Sequence, residues 1–157
     1  MSLASQNKNP LCVKQVAGGW KGSIGVDAQG HAVFGETADG IRAGTRCIQQ
    51  RWLTGRTTIR LLIGPAPGMG HGKPWTAKIG DIEGYIRAVA TYMQILADKK
   101  LKLFLPDGYC NLPWIPTLIN LEEAMAEVES GHDFCPPLSD WLDGIVRFQR
   151  NFPEAGR

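Results

Sequence analysis

Nothing in this 157-residue chain approaches the roughly 18 consecutive apolar residues of a membrane-crossing helix. Its opening, Met1 to Pro10, is polar where a secretory signal would carry an apolar block, so the chain is expected to be made as a soluble cytoplasmic protein without a membrane span. Neither sign of charge is in excess. The 17 Lys and Arg stand against 15 Asp and Glu and are scattered, which argues against nucleic acid as a partner. The cysteines, Cys12, Cys47, Cys110 and Cys135, lack the paired short spacing of a zinc site, so no metal is expected and buried free thiols are. A catalytic cysteine served by His31, His71 or His132 has no local signature to support it. Internal repeats and low-complexity tracts are also missing. The glycine-rich run Gly64 to Lys73 is no phosphate loop. Pro67 stands where that motif needs its first Gly, Pro74 follows Lys73 where Ser or Thr is needed, and no buried strand precedes it. A mobile loop flanking a groove is expected there, and no cofactor.

What is present is a core-forming composition, 43% apolar, in a length that fits one domain. Residues 1–12 read as a flexible lead-in and 13–157 as a single mostly helical domain. From Val13 to Phe34 the glycine-punctuated alternation predicts an irregular β-hairpin turning near Asp27 to Gly30. Thr37 is a predicted N-cap for a helix running to about Leu53, with Ile41, Thr45, Ile48 and Trp52 facing inward. A short helix over Thr58 to Ile63 must stop before Gly64-Pro65. Ile79 or Gly80 opens the strongest helix, to about Ala97, on the stripe Ile82, Ile86, Val89, Ala90, Met93 and Leu96. Leu103 to Pro113 reads as a loop crossing the surface, after a solvated Lys99, Lys100 and Lys102. Helices from about Trp114 or Thr117 to Val128, and from Asp140 to Phe152 with Ser139 as cap and Trp141, Ile145, Phe148 and Phe152 inward, complete the chain. The class is α+β and mostly helical, a small N-terminal hairpin packed on about five helices.

Ala124 to Gly131 carries the most pointed chemical signal, because an apolar-faced helix there runs into Glu129-Ser130-Gly131. A carboxylate at a helix C-terminus meets unpaired carbonyls and the negative end of the macrodipole, and both favour its protonated form. Partial burial adds to that push, as a general acid near neutral pH requires. The alternative is a solvated carboxylate ahead of a Gly cap.

Taken in order, several segments resemble a family of bacteriophage and prophage structural, or virion, proteins. They are Asn9-Pro10, Trp20-Lys21-Gly22, Phe34, Gly40-Ile41-Arg42-Ala43, Gly55 with Thr58-Ile59, Pro65-Ala66-Pro67, Tyr85-Ile86 with Val89, and Glu129-Ser130-Gly131. In that family they correspond to an opening Asn-Pro-Gly-Asn-Ile-Arg, a Trp-x-Gly, a hairpin ending in Phe and a Gly-Ile-Arg-Ala helix start. A Gly-x-x-Thr-Ile turn, a Trp-Ala-Pro loop, a Tyr-Ile-x-x-Val helix and a late Glu-Asn-Gly follow. The likeness covers about 9 to 131. Two segments depart from it: Leu11-Cys12-Val13-Lys14 replaces Gly-Asn-Ile-Arg, and the loop from Gly64 to Trp75 lacks the Glu-Asn-x-Thr run of many relatives. Ala124 to Gly131 is also similar to the Glu-Ser helix of lysozyme-like lytic transglycosylases, although there that helix precedes the hairpin.

The resemblance implies a phage- or prophage-derived protein, made in the bacterial cytoplasm and carried on the particle, with other particle proteins and peptidoglycan glycan strands as partners. Its two implied roles are a lysozyme-like peptidoglycan glycosidase (a muramidase or lytic transglycosylase) and a non-catalytic structural or assembly protein. Glycosidic cleavage needs a protonated acid and either a second carboxylate or a substrate acetamido group at the anomeric carbon. Glu129 is the candidate acid and Glu36 the candidate partner, with Asp39 beside it. Trp75, Tyr85, Trp20 and Trp114 are the candidate aromatic walls for sugar rings, Trp75 being the expected exposed platform and Trp20 the one best suited to the core.

Overall fold

The computed structural model describes residues 1–76 and 79–151. It has the expected class, mostly helical α+β with one small antiparallel hairpin. Its elements are α1 (Leu3–Gln6), β1 (Ser23–Val26), β2 (Ala32–Phe34), α2 (Thr37–Leu53), α3 (Ile59–Ile63), α4 (Ile82–Met93), α5 (Ile115–Ser130) and α6 (Leu138–Asn151). By contacts the chain divides into two compact units, Met1–Cys47 with Met125–Arg157, and Ile48–Ala124.

In the first unit the hairpin turns where expected. Asp27 accepts from the backbone N–H groups of Gln29 (2.8 Å) and His31 (2.9 Å), from the Asn7 amide (2.8 Å) and, at 3.0 Å, from His31 Nδ1. Burial works against the charged form of Asp27, but these donors outweigh it and hold its carboxyl well below the usual carboxylate range. Ser23 pairs with Phe34 and Gly25 with Val33, so a bulge lies between Ser23 and Gly25.

The expected flexible lead-in is corrected here. Residues 1–12 form a helical turn capped by Ser2, whose Oγ accepts from Ser5 N–H, and then bury Asn9 and Leu11 completely. Asn9 acts as a piece of sheet. Its amide donates to the carbonyls of Val13 and Ala32, both at 2.9 Å, and its carbonyl accepts from Val13 N–H. An amide side chain offers both donors and an acceptor, so it reinforces the pairing of these segments, in which Ala32 N–H also donates to Val13 O (3.0 Å). The polar composition of 1–12 concealed this, because the burial of Asn9 depends on partners that lie far along the chain.

Helix α2 begins at Thr37 itself, one residue earlier than a cap at that position implies. Its Gly40 and Gly44 make room for the N-terminal segment, since a Cβ at Gly40 would collide with the Lys8 carbonyl and one at Gly44 with the Leu11 side chain. Gly144 of α6 is likewise filled by Ile41 of α2. The inward residues Ile41, Thr45 and Ile48 are buried as expected, and so are Trp141, Ile145 and Phe148 of α6. That helix starts at Leu138, before the expected Ser139 cap, and Phe152 lies outside the described residues.

The second unit is organised around Arg56, which is only 1% exposed although it carries a fixed charge. Its guanidinium donates to the carbonyls of Lys73 (2.9 Å), Met69 (3.2 and 3.3 Å), Leu61 (3.3 Å) and Gly64 (3.4 Å). Gly64 and Lys73 each precede a proline, so the peptides whose carbonyls Arg56 takes leave no N–H to satisfy elsewhere. Burial lowers the guanidinium pKa, and the carbonyl dipoles provide the compensation that a carboxylate would otherwise supply. Arg51 adds a second tie, donating to Leu62 O (2.8 Å) and Pro74 O (3.0 Å). The loop from Gly64 to Pro74 is thus wrapped round cationic side chains.

Thr58 caps α3, its Oγ1 accepting from Leu61 N–H, and α3 ends at Ile63 as expected. Helix α4 is shorter than its apolar stripe suggests. Gln94 turns left-handed (φ 55°) and stops the helix at Met93, which leaves Leu96 82% exposed instead of on the inner face. Leu103 to Pro113 is not a surface crossing: Leu103, Phe104 and Cys110 are buried, and Phe104 bridges Cys110 across a turn containing Gly108. Among the described residues no helix is long and apolar enough to cross a membrane.

Two outcomes test these cores. Arg56→Met leaves several buried carbonyls without a donor and should cost about 3–5 kcal/mol in urea unfolding, whereas Arg60→Ala, on the surface, should leave the midpoint nearly unchanged. Asp27 has a depressed folded pKa, so its contribution is present above the ordinary value of 3.8 and is lost as pH falls below it. Asp27→Asn should therefore flatten the fall in melting temperature between pH 5 and pH 3.

Candidate functional site

Glu129 occupies the last turn of α5, half-buried, ahead of Gly131 in the left-handed region (φ 63°). Its carboxyl group lies near the Cys12 thiol, whose S–H is the group able to donate to it. Cys12 itself is pushed up to about 12, first by burial and then by the negative charges of Glu129 and Asp27, with Lys14 pulling the other way. The thiol therefore stays protonated at any physiological pH. A reactive thiolate needs the opposite surroundings, so Cys12 serves as a proton-bearing neighbour of Glu129.

The segment from Asn9 to Lys14 reaches Glu129 because of local geometry on both sides. Asn9 pins Val13 and the hairpin, Cys12 N–H donates to Asn9 O (3.0 Å), and Cys12 adopts φ 50°, which turns the chain sharply at that residue. Lys14 bridges His31 and its Nζ donates to Gln29 O (2.7 Å), so its cation sits over the hairpin turn. Cys12, Lys14, Asp27, His31 and Glu129 thus belong to one neighbourhood of the first unit.

Glu36 and Asp39 are engaged elsewhere. Arg147 of α6 lies 2.6 Å from Glu36 and 3.1 Å from Asp39, and it also reaches Asp143 one helical turn back at 3.0 Å. Burial alone would lower the Arg147 pKa, but the three carboxylates outweigh it and raise it. Both carboxylates are thus committed to one guanidinium, which closes the α2–α6 contact.

The aromatic candidates divide. Trp20 is 6% exposed and its indole N–H donates to Lys14 O (2.7 Å), which makes it part of the core and not a wall. Tyr85, at 7%, is also a core residue, on the buried stripe of α4. Trp75 is half-buried with the Arg51 guanidinium 5.1 Å over its ring, and Trp114 is half-buried at the foot of α5. Trp75, Tyr85 and Trp114 all belong to the second unit, and Glu129 and Glu36 to the first.

The remaining histidines and cysteines do not assemble into a nucleophilic site. His132 pairs with Glu127 across the α5 end, His71 Nδ1 accepts from Lys73 N–H, and Cys135 is exposed. Cys110 is pushed up to about 12 by burial and by the buried Glu122. Among the described residues no cluster of three or more His, Cys, Asp or Glu could hold a metal ion.

Sequence reasoning overlooked Cys12 and Asp27 as neighbours of the Glu129 environment. Cys12 carried a signal, since it stands within the one stretch that departs from the Asn-Pro-Gly-Asn-Ile-Arg pattern. Asp27 read only as a turn former. No family model matches the chain, and no curated protein matches it at a significant level.

The thiols give a direct check of this environment. At pH 8 the exposed Cys135 should react with Ellman's reagent within seconds to minutes, while Cys12 and Cys110 should react only when denaturant opens the fold, as peptide mapping of the labelled protein would show.

Proposed function

We propose that this chain is a phage- or prophage-derived, virion-associated protein that cleaves peptidoglycan glycan strands with Glu129 as its single general acid. The observation that supports it is the approach of Cys12, two residues past the resembling Asn9-Pro10, to Glu129 of the resembling Glu129-Ser130-Gly131. A third resembling segment, Gly40 to Ala43, packs on the same stretch, since Gly40 gives the room that Lys8 and Asn9 occupy. Segments that resemble a family pattern and also converge in space form the setting in which a functional carboxylate is expected.

The chemistry follows from what surrounds each carboxylate. Glu129, at the negative end of α5, gives its proton to the leaving glycosidic oxygen, and the Cys12 S–H then donates to the carboxylate that remains. Because Glu36 and Asp39 are bound to Arg147, the positive anomeric carbon is met by the substrate's own 2-acetamido group. This is the single-carboxylate variant of the reaction, and it fits the lytic transglycosylase likeness better than a two-carboxylate muramidase.

A second reading, a non-catalytic structural or assembly protein of the particle, is favoured by the same Arg147 contacts, because they turn the best second carboxylate into part of the α2–α6 interface. Zymography on stripped cell walls separates the two. Wild type should clear the substrate and Glu129→Gln should lower the rate at least about 10²-fold, with Glu36→Gln close to wild type. Clearing that survives Glu129→Gln would remove the acid assigned here. No clearing by folded wild type, together with its detection in purified particles by mass spectrometry, would establish the assembly role.

A further inference from the structure

The loop from Gly64 to Trp75, which the proposed glycosidase chemistry does not use, presents its backbone in an unusual way. Gly68, Gly70 and Gly72 take φ of +80°, +62° and +72°, while the residues between them stay outside the positive range. Met69 N–H donates to Ala66 O (3.1 Å) and Gly72 N–H to Met69 O (3.2 Å), which leaves the adjacent Gly70 and His71 N–H groups as the pair that can converge on an anion, as in an anion-binding concavity. Arg56 fixes the side on which they do so. It draws the Met69 carbonyl inward, and in a trans peptide the following N–H, that of Gly70, points the opposite way. Gly68, Gly70 and His71 are exposed, and among the described residues their N–H groups donate to no protein acceptor.

The charges around this loop share one sign. Burial lowers the His71 pKa, and the neighbouring Arg51, Arg56 and Lys73 add to that by disfavouring its protonated form. Among the described residues no carboxylate adds to that shift. Arg56 directs its hydrogen bonds to backbone carbonyls, which orient the guanidinium without neutralising it. His71 Nδ1 accepts from Lys73 N–H, so the neutral ring carries its proton on Nε2, as an outward donor. Trp75 closes one end with its ring under Arg51.

We infer that the loop from Gly68 to Lys73 is a binding site for a tetrahedral oxyanion of the phosphate class, held by the Gly70 and His71 backbone N–H groups, His71 Nε2 and the Lys73 ammonium. The site differs from a nucleotide phosphate loop, because it opens no helix and its lysine precedes a proline. It commits to the anion alone: free phosphate and the phosphate of an ester present the same oxygens.

Amide chemical shifts of the whole protein, titrated with sodium phosphate or sodium sulfate against sodium chloride at matched ionic strength, test the site. Saturable downfield shifts of the Gly70 and His71 amides, with half-saturation in the millimolar range or below, are expected for both oxyanions. Lys73→Ala and His71→Ala, both exposed positions, should each weaken that binding about 5-fold or more while the remaining spectrum stays that of the folded protein. Phenyl phosphate binding as tightly as inorganic phosphate would assign the site to esters as well, and much weaker binding would assign it to the free anion. Shifts that grow linearly without saturation, or saturable binding unchanged in the Lys73→Ala/His71→Ala double variant, would overturn the inference. Neither result bears on wall clearing by Glu129.

Discussion

Buried backbone carbonyls that no strand or helix can satisfy are the constraint on which this fold turns. The described residues hold only one short hairpin, so much of the interior is irregular chain whose polar groups must find partners among side chains. Asn9 meets that need in one unit and Arg56 in the other. Each is almost completely buried, and each ties together backbone segments far apart in sequence. The remainder follows from these anchors: Asn9 sets the path that brings Cys12 to Glu129, and Arg56 sets the inner face of the glycine-rich loop.

The two anchors work by different physics. An amide is neutral and costs little to bury once its hydrogen bonds are made, so Asn9 simply extends the hairpin by one more connection. A guanidinium brings its charge with it, and the carbonyl dipoles of Leu61, Gly64, Met69 and Lys73 must offset the lost hydration. That arrangement leaves a positive field at the loop surface, since dipoles orient around a charge without cancelling it. It is also why the outward N–H groups and the local cations reinforce each other.

The carboxylates near the N-terminal unit separate by the same accounting. Glu36 and Asp39 meet a fixed cation and serve packing, whereas Glu129 meets a thiol that cannot ionise under ordinary conditions. The contrast sets Glu129, beside a neutral thiol, apart from Glu36 and Asp39, which close an ion-pair contact with Arg147.

Much of the fold was legible in the chain itself, because helices and turns answer to local rules. The spacing of Ile41, Thr45 and Ile48, the Thr58 cap, the Pro65 stop and the Asp27 to Gly30 turn each depend on a few neighbouring residues, and each is found where those rules put it. Class and element order follow from that. Tertiary structure decided the rest. Only folding determined that polar residues 1–12 contribute Asn9 to the core, that α4 ends before Leu96, and that Arg147 takes Glu36 and Asp39 while Cys12 faces Glu129. Those outcomes rest on partners distant in sequence, and the free energy of burying a polar group is set by the partner it meets, which no local pattern records.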